Sequence, residues 1–314
     1  MVEDMLFEIL LILCGCFSQI RAAAYLSESG IVDKMYSMFG KITDHPDAGF
    51  LFPGVIKFFG HFSVASPGCL TQYPLFLRSV FDLVYHFDYL DAAQRLLAFD
   101  TLSLVSSSNQ SRILLSSSVE YDMAKAMRAF SVAVATGPIE MRVRNLDALA
   151  LLFSSQHETR ENNAMEVNTT NDSMIIDTKK RRVTDGSFAD ADITRILHTW
   201  FEYLGEAFPT FLLSYLVKPF PDLRYSSLGV LRQLLSYEWG IHTFMLTNGF
   251  LDYLLNRNTE SESSGKLSKY DLVCLLIDSG SPSISSQELL RLKLYRKEGA
   301  YYVDRPPIVD TANQ

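Results

Sequence analysis

The chain has 314 residues, 48% of them hydrophobic and 20% charged, which is enough apolar surface for a continuous core in one elongated array or in two globular units. Its formal net charge is −8 and its pI about 5.3, a balance that repels phosphate backbones and anionic lipid and so argues against a nucleic-acid or membrane-surface partner. The mean hydropathy of +0.08 suits a chain of buried helix faces.

In chain order, residues 5–17 come first and are strongly apolar. Glu3 and Asp4 precede them and Glu8 interrupts them, whereas a signal peptide carries positive charge there, and the run is too short to cross a bilayer. It predicts a buried helix in a cytoplasmic or nuclear protein. Gly and Pro then fall between apolar-periodic segments, which predicts helices over 31–42, 53–64, 74–87, 91–105, 119–135 and 138–154, with Pro53 in a first turn. No stretch alternates as a strand would, so the fold class is all-α. Residues 156–188 are polar, rich in Asn, Thr and Glu, and lack an aromatic residue before Phe188; they predict a disordered insertion. Its basic cluster, Lys179-Lys-Arg-Arg-Val183, reads either as a nuclear import signal or as charge balance for acidic neighbours. Helices resume over 189–257, and a polar stretch at 258–266 precedes a last pair at 267–277 and 285–295. The expected organisation is repeats over 1–155, the insertion over 156–188, further repeats over 189–303, and a flexible tail over 304–314.

Four segments superimpose without gaps, starting at Val55, Arg95, Arg142 and Arg224. Their fifth residues, Phe59, Phe99, Leu146 and Leu228, are spaced by 40, 47 and 82 residues. Setting the insertion aside brings the last spacing to about 49, close to the armadillo/HEAT period. The expectation is an armadillo/HEAT-type right-handed superhelical solenoid, because one such helical unit cannot bury its own face and stacked units can. The residue after each anchor (Gly60, Asp100, Asp147, Gly229) suits close packing or exposure.

The sequences Lys218-Pro-Phe-Pro-Asp-Leu-Arg-Tyr-Ser-Ser-Leu228, Trp239 with Asn248-Gly-Phe-Leu-Asp-Tyr-Leu-Leu-Asn-Arg257, and Leu290-Arg-Leu-Lys-Leu-Tyr-Arg-Lys-Glu-Gly-Ala-Tyr-Tyr-Val303 closely resemble the 26S proteasome non-ATPase regulatory subunit 5 family. Phe52-Pro-Gly-Val-Ile-Lys-Phe-Phe-Gly60, Tyr73-Pro-Leu-Phe76 and Met141-Arg-Val-Arg-Asn-Leu-Asp-Ala-Leu149 are similar to the same family. The resemblance implies a chaperone for assembly of the proteasome regulatory particle base. Such a protein reversibly binds the C-terminal domain of an ATPase subunit and is absent from the finished particle. Family members are longer upstream, so Met1 is expected to fall inside a repeat, with the N-terminal repeats lacking.

Catalytic signatures are missing from the sequence: no Gly-x-Ser-x-Gly, no phosphate-cradling glycine loop and no His-Glu-x-x-His. The six histidines are scattered, and Cys14, Cys16, Cys69 and Cys274 lack zinc or redox spacing. The expectation is a non-enzyme without cofactor, metal or small-molecule substrate. Arg95, Arg142 and Arg224 occupy equivalent repeat positions and form the candidate partner-binding stripe, able to grip carboxylates. The alternative is local pairing with Asp91, Glu140 or Asp222, the arginine stems covering apolar surface. A general armadillo adaptor is the second functional reading. Trp200 and Trp239 fall outside the spacing that importin-like solenoids use.

Overall fold

The computed structural model describes residues 20–41, 48–155 and 188–302. All regular structure among them is helical. Residues 156–187 of the insertion expected over 156–188, the basic cluster at 179–183, residues 1–19 with Cys14 and Cys16, and the tail at 304–314 lie outside the described residues, and Phe188 already belongs to a helix.

Contacts divide the chain into two compact units, Met1–Phe208 with Gly229–Gln233, and Pro209–Leu228 with Leu234–Gln314. The first contains α1 (Ile20–Glu28), α2 (Ile31–Phe39), α3 (Ala48–Ala65), the short α4 (Cys69–Gln72), α5 (Pro74–Tyr85), a 3-10 turn at Phe87–Tyr89, α6 (Ala92–Val105), α7 (Asn109–Ser117), α8 (Met123–Ala135), α9 (Ile139–Leu152) and α10 (Phe188–Glu202). Helices α3, α6 and α9 pack side by side, and α5 and α8 lie against α6 and α9 as a second row. This is solenoid-type stacking, each helical unit closing the apolar face of the one before. The repeat anchors Phe59, Phe99 and Leu146 are all 0% exposed. Aromatic pairs run between the rows: Phe59 meets Phe76 at 5.5 Å and Phe99 meets Phe130 at 4.7 Å. Gly60 lets α3 approach α6, since a Cβ there would lie 3.1 Å from Thr101 Cγ2.

Local signals set the helix starts. The side chains of Asp91, Ser108 and Asp122 accept bonds from the backbone N–H groups of Gln94, Ser111 and Lys125, satisfying first-turn donors. Pro74 opens α5, where its missing N–H leaves nothing unpaired. Pro53 differs from the expectation: α3 starts at Ala48, so Pro53 lies inside the helix. Phe52, next to it, stacks on Phe39 at 5.7 Å, packing that offsets part of the cost of the hydrogen bond that Pro removes. The expected helix over 119–135 starts at Met123, and α7 precedes it where no helix was expected. Asn, Gln and Ser in α7 hide its one buried edge, Ser111, Arg112 and Leu115.

The second unit is built from α11 (Phe208–Leu216), the first part of α12 (Pro221–Leu234), α13 (Glu238–Leu246), α14 (Phe250–Leu255), α15 (Ser263–Ser279) and α16 (Ser286–Glu298). Helix α16 packs on α15 and α14 and begins with a full capping box between Ser285 and Glu288. The polar stretch at 258–266 is not merely a spacer. Glu260 is buried and α15 already begins at Ser263.

Candidate functional site

The three sequence-predicted arginines each sit one turn inside a helix start. Arg95 donates from Nε to the Leu90 carbonyl at 2.9 Å and from Nη2 to the Asp88 carbonyl at 2.8 Å. Arg142 donates from Nε to the Gly137 carbonyl at 2.8 Å. Arg224 donates from Nη1 to the Lys218 carbonyl at 2.9 Å. All three therefore tie down the turn that leads into their own helix, an equivalence that the sequence alignment of the repeats anticipates. The acceptors are carbonyls rather than the carboxylates of Asp91, Glu140 or Asp222. Arg95 and Arg142 are half-buried and belong to the first unit, and Arg224 to the second. Arg224 is 8% exposed and also pairs with Glu260 at 3.2 Å.

That pair belongs to a buried polar cluster which sequence reasoning missed. Tyr253 Oη donates to Glu260 Oε1 at 2.9 Å. The Lys269 ammonium donates to the Asn256 carbonyl and to Thr259 Oγ1, and sits 4.6 Å above the Tyr253 ring. Burial pulls Lys269 down to about 8, against the attraction of Glu260, and Arg257 lowers it further. Burial likewise pushes Tyr253 well above the usual phenol range. The cluster locks residues 256–262 against α12 and α15, a structural task for groups that are paired throughout.

In the first unit an open groove of about 600 Å³ lies between the α7–α8 connection and α10. Leu115, Tyr121, Met123, Ile196 and Trp200 line it, and Arg195 stands at its edge, paired with Asp192 at 3.1 Å. Among the described residues no three His, Cys, Asp or Glu side chains could hold a metal ion. Burial pushes Cys69 up to about 12 and raises Cys274, the reverse of what a nucleophilic thiolate requires. Burial, and after it the neighbouring Lys57, lower the pKa of His61 below the usual imidazole range. Among the described residues no helix is long and apolar enough to cross a membrane. Tyr301 and Tyr302 are both exposed; Arg257 lies over the Tyr295 ring at 3.3 Å and over Tyr302 at 5.4 Å.

Comparison with known proteins gives one coherent result. The family model described as proteasome non-ATPase 26S subunit matches residues 3–170 and 184–314. The gap between the two matched segments, residues 171–183, falls inside the stretch read from sequence as an insertion. The chain is 24% identical over 324 residues to the 26S proteasome non-ATPase regulatory subunit 5 of Homo sapiens, covering 99% of this chain and 57% of that protein. It is 24% identical over 316 residues to the Drosophila melanogaster protein of the same name, covering 99% and 56%. The chain thus spans a little over half the length of the curated relatives it matches.

Proposed function

Because the chain belongs to the proteasome non-ATPase 26S subunit family, we propose that it works in assembly of the proteasome regulatory particle base, as a chaperone that reversibly holds the C-terminal domain of an ATPase subunit and leaves before the mature proteasome forms. The family match along nearly the whole chain carries this reading. The stacked helices of the first unit support it, since such arrays bind partners through extended surfaces rather than by chemistry in a pocket. We read the repeats as armadillo/HEAT-type, acting without catalysis or cofactor in the cytoplasm and the nucleus.

On this reading the partner surface includes Arg95 and Arg142. Among the described residues Arg142 donates only through Nε, so its two Nη groups are available to a partner carboxylate. Arg224, engaged by Glu260 and the Lys218 carbonyl, holds the second unit together. Release is part of the task, so affinity is moderate and exchange is governed by dissociation.

The test is a calorimetric titration of the chain against the isolated C-terminal domain of each proteasomal ATPase subunit. Saturable binding to one or two of them is expected, weakened about tenfold by Arg142→Ala, a loss of about 1.4 kcal/mol. Binding to none of them overturns the proposal, and equal binding to all of them favours a general adaptor.

A further inference from the structure

Helix α16 is apolar on two opposite sides. Leu292 and Tyr295 face inward and are buried. Leu290 and Leu294 stand on the other side, 70% and 56% exposed. At 3.6 residues per turn they lie about 40° apart in the middle of the outward face. Lys293 and Lys297 border them on one side and Arg291 on the other, and all three are exposed. None of these three cations has a carboxylate partner among the described residues, whereas Arg296 on the same helix pairs with Asp278 at 2.7 Å and Glu298 with Arg257 at 2.8 Å. The attraction of the helix C-terminus accounts for Lys297 in the last turn, but it fades before Arg291 and Lys293. A chain of net charge −8 thus gathers three free cations around two exposed leucines on a single helix.

We propose that this face of α16 is a docking surface for an acidic amphipathic helix of a partner protein. The partner's apolar residues, spaced three and four apart, would pack on Leu290 and Leu294, and its flanking carboxylates would reach Arg291, Lys293 and Lys297. Charge selects this occupant. A second copy of the chain would bring the same cations together across a two-fold axis. An anionic membrane would meet a helix that Leu292 and Tyr295 hold against its neighbours, unable to sink into the interface. The inference concerns this helix alone and does not depend on the proteasomal reading.

The probe is a fluorescein-labelled synthetic amphipathic helix with leucines at i, i+3, i+4 and i+7 bordered by glutamates, titrated into the full chain. A matched peptide with lysines in place of the glutamates is the control. The acidic peptide is expected to bind saturably and to protect α16 from hydrogen exchange, with affinity falling as salt rises. Binding weakens at least about tenfold in Leu290→Ala/Leu294→Ala and in Arg291→Glu/Lys293→Glu/Lys297→Glu. Both variants change only exposed positions, so the helical circular dichroism stays as in the unmodified chain. No binding, equal binding of the lysine control, or binding indifferent to both variants overturns the proposal. So does α16-dependent self-association, or sedimentation with phosphatidylserine vesicles that the same substitutions abolish.

Discussion

Arg112 shows how much one side chain in a polar helix can hold. It is 1% exposed and donates from Nε to the Ser106 carbonyl at 2.8 Å and from Nη2 to the Leu152 and Ser154 carbonyls at 2.9 and 2.7 Å. It thereby satisfies carbonyls at the end of α9 that the helix cannot satisfy itself. Arg112→Met is expected to cost about 3 kcal/mol, read as a lowered urea midpoint. Arg112→Lys should not rescue it, because an ammonium cannot span acceptors that the planar guanidinium reaches together. Lys269 gives a pH signature. The unfolded chain keeps this proton up to its ordinary pKa near 10.5, while the folded chain releases it at about 8. Between those values the unfolded state binds more protons, so this group's contribution to stability rises with pH; below about 8 the buried charge is a constant cost. Cys69, raised to about 12, works the other way above about 9, so the comparison needs a Lys269→Met reference. The advantage of the unmodified chain over that variant should grow by about 1 kcal/mol between pH 8 and 9 in urea titrations. A flat difference would show that the ammonium stays protonated in the fold.

At the scale of elements, two glycines on neighbouring helices behave oppositely. A Cβ at Gly240 in α13 would sit 1.9 Å from the Leu234 carbonyl oxygen, whereas one at Gly229 in α12 would meet nothing within 4 Å. Gly240→Ala is expected to destabilise by about 3 kcal/mol, because main chain must move to admit the methyl group. Gly229→Ala should stabilise by about 0.5–1 kcal/mol by removing backbone freedom from a helix interior. Thermal unfolding of the two variants checks both signs. Both glycines read alike in the sequence, since only the path of a neighbouring chain decides whether a Cβ fits. Sequence periodicity was informative where a helix buries one face, as in α5 and α9. It failed where polar residues are turned inward, as at α7 and at the start of α15.

For the whole molecule, the non-catalytic reading makes its own prediction. Serine-directed fluorophosphonate probes should leave the folded chain unlabelled, and iodoacetamide at pH 8 should modify Cys69 at least about a hundredfold more slowly than a free thiol of ordinary pKa near 8.5. Rapid, stoichiometric labelling at one site, read by mass spectrometry, would instead reveal an activated nucleophile and reopen the question of catalysis.

The sequence by itself determined the all-α class, the anchors Phe59, Phe99, Leu146 and Leu228, the equivalence of Arg95, Arg142 and Arg224, and the family. These depend on local periodicity and on residue order, both of which a chain displays before it folds. Tertiary structure alone decided that the three arginines bind carbonyls of their own turns, that Glu260 and Lys269 are interior, and that Leu290 and Leu294 face outward although they sit in the same heptad as the buried Leu292. Each of these turns on which face of a helix meets a neighbour, and that is set by the packing of segments far apart in the sequence.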